Sequence, residues 1–200
     1  EYDQNVRLNL IQHGIHKCGI KLTSNNRILD IGCGTGDIFP ILIEHGAKEL
    51  IGIDISKGVL QYTKTKYAYC EGTRFILMNV SDLAFSPQSF DLIICLNVLQ
   101  HIVDNTEFNK TVYEIVSVLK SSCHIILLEF SPQKSINSEY SKFLVIRSRR
   151  DYINVFGENG CKLIYEIGIP RIGVRLCRYT VQVGRFLKRL IFAESNRTTD

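Results

Sequence analysis

Short apolar runs recur along the chain, and the stretches between them carry apolar residues at helical spacing. Arg27–Ile31, Glu49–Asp54, Arg74–Asn79, Phe90–Asn97 and Ser122–Phe130 are rich in Ile, Leu, Phe and Cys. That is the composition of strands buried on both faces of a parallel sheet. The third of these runs is read as continuing to Leu83. Helices are predicted over residues 2–18, with Asp3 as an early cap, and over 37–45, with Gly46 as a left-handed stop. A third starts at Ser56 and carries Val59, Leu60 and Tyr62. A fourth covers Thr106–Leu119, with Phe108, Val112, Ile115, Val116 and Leu119 on one face. Four repeats of strand then helix predict an α/β fold, a doubly wound, mostly parallel sheet with right-handed crossovers. The rhythm breaks at 131–150, a polar loop followed by a helix carrying Tyr140, Phe143, Arg147, Arg149 and Arg150. A last helix, Tyr152–Gly160, turns through Asn159-Gly160 into two antiparallel strands, Lys162–Ile167 and roughly Cys177–Val183.

A length of 200 residues, 45% of them hydrophobic, is enough for one domain with a sizeable core. No apolar run reaches the length of a membrane span. Seven cysteines without a Cys-x-x-Cys pair argue against a disulfide framework and against structural zinc. A reducing, cytoplasmic setting is expected. The first residue is Glu1, which fits a fragment, a processed product or one domain of a longer multidomain chain.

The chemistry concentrates in Arg27–Asp37, where a strand runs into Gly32, Gly34 and Gly36 and then into a helix. Glycines there let a ligand lie against bare backbone near helical N–H groups. A dinucleotide fingerprint needs Gly-x-Gly-x-x-Gly. Here the third glycine position is Asp37, whose charge repels a pyrophosphate, so a neutral or cationic ligand fits better.

Asp30-x-Gly32-x-Gly34-x-Gly36, followed by Ile51-Gly52-Ile53-Asp54, resembles the S-adenosylmethionine (SAM) site of class I methyltransferases. Phe90–Asn97 followed by Val98–Ile102 resembles the fourth motif of the family's small-molecule branch. The resemblance covers about residues 25–185. It implies a seven-stranded sheet with an antiparallel last strand inserted between the fifth and sixth. It also implies SAM as cofactor, with Gly32, Cys33, Gly34 and Gly36 against its amino-acid part and Asp30 toward its ammonium. Asp54, next to Ile55, would take the ribose hydroxyls, since a carboxylate accepts two hydrogen bonds from a vicinal diol. Asn79 or its alternative Asp82 would meet the adenine amino group, with Val80 against the ring. Leu96 and Asn97 would lie beside the methyl donor. His101 follows as general base, because imidazole ordinarily titrates near neutrality. No His/Asp/Glu grouping has metal-ligand spacing, so no required metal is predicted. Glu129 is read as a solvated strand-end acid.

Three regions are expected: an N-terminal helix at 1–24 covering the site, with Tyr2 as a candidate lid residue; a methyltransferase domain at 25–185; and a basic tail at 186–200. The basic stretch Pro170–Phe192 is a candidate for weak contact with a membrane surface or other anions, and no DNA partner is expected. The function expected is methyl transfer to a small-molecule or glycan-type acceptor at oxygen. The rivals are an RNA methyltransferase using the basic face and a non-catalytic SAM-binding module.

Overall fold

A computed structural model describes residues 2–131, 143–170 and 187–195, with side chains at 8–131, 143–167 and 191–195. Seven strands form one sheet, β1 Arg27–Ile31, β2 Glu49–Asp54, β3 Thr73–Leu77, β4 Phe90–Leu96, β5 Leu119–Phe130, β6 Cys161–Pro170 and β7 Leu187–Ser195. Their order is β3-β2-β1-β4-β5-β7-β6, with β7 antiparallel to both its neighbours and the β3-to-β5 half parallel. The class I methyltransferase fold expected from the sequence is the one observed. Helices are α1 Tyr2–Lys17, α2 Phe39–Glu44, α3 Lys57–Lys66, α4 Asn105–Val118 and α5 Arg149–Glu158.

Alternation along each strand feeds two cores. Leu29, Ile31, Ile51, Ile53, Ile93, Cys95, Ile125 and Leu127 pack with Phe108, Val112 and Ile115 of α4 and Tyr152 and Phe156 of α5. Ile28, Leu50, Leu92, Ile94, Ile126 and Leu128 face Ile11 and Ile15 of α1, Phe39 and Leu42 of α2 and Leu60 of α3. Because both faces are covered, the strands read as unbroken apolar runs. Side-chain caps start three of the helices, at Ser56 as the sequence suggests and at Asp104 and Ser148, which it did not single out. The Ser56 side chain accepts from the Val59 amide, Asp104 caps α4, and Ser148 with Asp151 forms a capping box on α5.

Several expectations need correction. β3 stops at Leu77, and the chain reaches β4 through turns at 78–89 with no helix, so the four strand–helix repeats follow β1, β2, β4 and β5 and skip β3. The seventh strand is Leu187–Ser195; the strand expected at 177–183 lies outside the described residues. The boundary at 185 and the basic tail from 186 are therefore overturned, since Leu190 to Ala193 pair between β5 and β6 in the middle of the sheet. Residues 143–148 are irregular rather than helical, and Tyr140 lies outside the described residues. Helix α1 packs on β6 and β7, where Gly14 admits the Phe192 ring and His13 sits 6.4 Å from the Tyr165 ring. None of its described side chains lines the cavity at the carboxyl edge of the sheet, and the Tyr2 side chain is outside the described residues. Among the described residues no helix is long and apolar enough to cross a membrane.

Candidate functional site

A cavity of about 430 Å³ opens at the carboxyl edge of the parallel strands. Its wall includes Gly32 after β1, Asp54 and Ile55 at the end of β2, Asn79 and Val80 after β3, and Leu96, Asn97 and His101 after β4. Four separate strand ends thus bring eight of the residues singled out in the sequence onto one surface. In an open α/β sheet this edge is where ligands bind.

The glycine loop meets the cavity at Gly32, and α3 holds the loop in place. Gly32, Gly34 and Gly36 all have left-handed backbone, with φ of 65°, 51° and 71°. At Gly36 a side chain is excluded twice, by that φ and by the Tyr67 ring, whose Cε2 would lie 2.6 Å from an added Cβ. A Cβ on Gly34 would instead meet nothing within 4 Å. The Asp54 carboxylate joins the loop to the next helix: Oδ2 accepts from the Gly34 amide at 3.0 Å and Oδ1 from the Ser56 amide at 2.9 Å. From α3, the Thr63 hydroxyl donates to the Gly34 carbonyl at 2.7 Å and Lys66 Nζ donates to the Thr35 carbonyl at 2.9 Å. Tyr67, just beyond the helix, donates its hydroxyl to the Gly36 carbonyl at 2.6 Å. Burial, and then the Asp37 carboxylate, push the Tyr67 phenol up to about 12, so it remains a donor. Sequence reading missed Thr63, Lys66 and Tyr67; their spacing of three and four along α3 and its C-cap is the signal that could have found them.

The roof is the segment after β4. Asn97 is a non-glycine residue in left-handed backbone, φ 59°, with its amide donating to the Leu128 carbonyl at 2.7 Å. The buried Asn97 Oδ1 has no hydrogen-bond partner among the described residues. Leu99–His101 form one 3-10 turn, and His101 ends it, exposed at the cavity mouth. Its Nδ1 lies 3.3 Å from the Phe143 carbonyl, an oxygen that can only accept, so Nδ1 is the donor in this contact and Nε2 is the acceptor of the neutral ring. Glu129 is not a solvated acid: it is fully buried, and its Oε1 accepts from the amides of Val98 and Leu99 at 2.9 and 2.8 Å.

Other candidates stand apart from the cavity. Asp30 is buried in β1. The Cys33 thiol turns inward against Gly52 and Phe75, and burial together with Asp30 and Asp54 raises its pKa, so it behaves as a small core hydrophobe. Its amide is bonded to the Ile53 carbonyl. Gly34 and Gly36 shape the loop behind Gly32 without lining the cavity, and Asp82 is exposed outside the wall. Asn79 lines it, yet its Oδ1 already accepts from the Ser81 amide at 3.1 Å. Ser81 and Glu107 line it too, bonded through the Ser81 hydroxyl at 3.0 Å, and neither was anticipated. Among the described residues no three His, Cys, Asp or Glu side chains converge to hold a metal ion.

Residues 28–122 match a family model described as a methyltransferase domain. The ubiquinone/menaquinone biosynthesis C-methyltransferase of Geotalea daltonii is 32% identical over 125 residues, 58% of this chain and 51% of that protein. The ubiquinone biosynthesis O-methyltransferase of a Neisseria meningitidis strain is 27% identical over 160 residues, 70% of this chain and 64% of that protein. Magnesium protoporphyrin IX methyltransferase from Synechocystis, solved with bound SAM, superposes with a TM-score of 0.68 at 20% identity, covering 96% of this chain and 79% of that one. The chain spans about half the length of the first curated relatives it matches.

Proposed function

We propose that the chain, whose residues 28–122 match a methyltransferase-domain model, is a class I S-adenosylmethionine-dependent methyltransferase that methylates a hydroxyl of a small-molecule acceptor, with His101 as general base. One observation carries this reading. A single cavity is lined at once by the glycine-loop entry Gly32, the diol-type acceptor Asp54 and the histidine of the opposite wall.

The residues fit the cofactor. Asp54 uses one lone pair of each oxygen on backbone amides and keeps another on each for vicinal hydroxyls. Gly32 brings bare backbone to the wall, and the Asn97 oxygen buried behind it, without a partner among the described residues, is a candidate acceptor for an ammonium. Ile55 and Val80 offer apolar faces to a flat ring, and Asn79 its remaining amide hydrogens and lone pair. When bound, SAM supplies an already activated methyl on a sulfonium. The protein then has to orient the acceptor, which is worth about 7–11 kcal/mol where the alignment is good. His101 Nε2 takes the hydroxyl proton as the new O–C bond forms, adding roughly 10²–10⁴ in rate.

The relatives named for ubiquinone biosynthesis are a C- and an O-methyltransferase, so phenolic rings are the first acceptors to try, with sugar hydroxyls as the second class. Calorimetry with SAM and with NAD comes first; NAD binding without SAM binding would sink the reading. Release of S-adenosylhomocysteine against a panel of both acceptor classes then identifies turnover. With an acceptor in hand, His101→Ala should lower turnover by roughly 10²–10⁴ while SAM affinity holds. Activity and SAM affinity lost in equal measure would make His101 a wall residue only.

A further inference from the structure

Glu129 and Arg147 line no part of the cavity, yet both bond to the turn that forms its roof. Glu129, fully buried at the end of β5, accepts the Val98 and Leu99 amides at the start of the turn at 2.9 and 2.8 Å. Arg147, also buried, closes the other end. Its Nη1 donates to the Leu99 carbonyl at 3.3 Å, and its Nη2 donates to the Ile102 carbonyl at 2.8 Å and to Asn105 Oδ1 at 3.1 Å. The guanidinium carbon stands 3.8 Å over the Phe108 ring. Two residues earlier, the Val145 amide donates to the Gln100 carbonyl at 2.8 Å, and the Phe143 carbonyl receives His101 Nδ1.

A single 3-10 turn has too few internal bonds to hold itself. This one has an anion on its amide end and a cation on its carbonyl end, the polarity that its peptide dipoles favour. Burying charges is costly, and apolar side chains fill the same space at no such penalty. A carboxylate and a guanidinium converging on one short turn point to a demand on where its atoms sit. That turn bears His101.

We propose that Glu129 and Arg147 are positioning residues for the transfer step, fixing the turn so that His101 keeps Nδ1–H on the Phe143 carbonyl and presents Nε2 as the proton acceptor. The proposal rests on the reading of His101 as base. Neither residue touches substrate; each acts through the histidine.

The test uses nitrogen NMR of labelled histidine together with calorimetry, on the whole chain, with S-adenosylhomocysteine as the probe. The parent protein should show His101 in the Nδ1–H tautomer. Glu129→Leu, and Arg147→Lys, which puts a single ammonium where three acceptors converge, should each lose that signature for a mixture of tautomers. Their S-adenosylhomocysteine affinity should stay within about threefold of the parent. Glu129→Gln, which keeps an acceptor oxygen for the two amides, should restore the signature. An Nε2–H parent, or a parental signature surviving in Glu129→Leu and Arg147→Lys, overturns the proposal. So does a loss of probe binding in step with the ring signature, the mark of general damage. If Glu129→Leu does not fold, Arg147→Lys decides. A parent that fails to bind the probe overturns the methyltransferase reading itself, and the transfer role with it.

Discussion

Replacing Asp54 by Asn tests whether this carboxylate organises the site or merely borders it. The two oxygens accept from Gly34 and Ser56 amides at 3.0 and 2.9 Å, and both donors are fixed backbone. An asparagine carries one oxygen and one NH₂ group, so in either orientation one amide faces another donor. A hydrogen bond to a charged group contributes about 1.5–3 kcal/mol. One such bond is lost outright, and the diol loses an acceptor at the same atom. If Gly34 is the amide left facing NH₂, the loop loosens; if Ser56, the start of α3 does. The expected result is a SAM affinity lower by roughly ten- to hundredfold, equivalent to about 1.4–2.8 kcal/mol. The melting temperature without ligand should fall as well, because both bonds exist in the free protein. Titration calorimetry and a thermal melt, each with and without SAM, measure the two effects separately. Unchanged SAM affinity in a folded Asp54→Asn protein would refute the assignment of this carboxylate to the cofactor.

Gly36→Ala should cut SAM affinity and stability together, because a Cβ would press on the Tyr67 ring at a φ of 71°; a melt and a titration check it. Gly14→Ala should destabilise by about 1–3 kcal/mol through overpacking against Phe192, with little effect on SAM binding, as denaturant unfolding will show. His124, opposite Glu194 across β5 and β7, has its pKa lowered by burial, against a smaller opposing pull from the carboxylate. The unfolded chain therefore takes up a proton that the fold refuses as pH drops below about 6.5, and stability should fall there. Melts of the parent and of His124→Gln at about pH 7.5 and pH 5.5 should show the parent losing more on acidification.

Much of the fold was legible because parallel strands buried on both faces leave apolar runs that local reading detects. β1, β2 and β4 were placed to within a residue, and the caps at Ser56 and Gly46 sit where their side chains or φ require. The cavity wall was legible where a strand end carries a distinctive residue on a short stretch, as at Gly32 and Asp54. Contacts that depend on long-range packing were not. Nothing in Glu129's neighbourhood along the chain says that a strand-end acid will be buried under two amides of another segment. Arg147 likewise looks like one of several surface cations until the fold carries it to Leu99 and Ile102. The misplaced seventh strand has a similar cause. Cys177, Tyr179, Val181 and Val183 alternate neatly, while Lys188 and Arg189 disguise the Leu190–Ala193 run that enters the sheet.

That strand also sets a timetable for synthesis. β5 and β6 are both made before β7, yet neither pairs with the other; each finds its partner only in residues 187–195. On the ribosome the parallel half of the sheet can assemble while the flank of β5 stays open, an apolar row of Ile125, Ile126, Leu127 and Leu128 with unpaired backbone on one side. Open edges of that kind recruit other chains. The interval between emergence of residue 130 and residue 195 is therefore when a nascent copy is most vulnerable to its neighbours, and when a holding chaperone has most to protect.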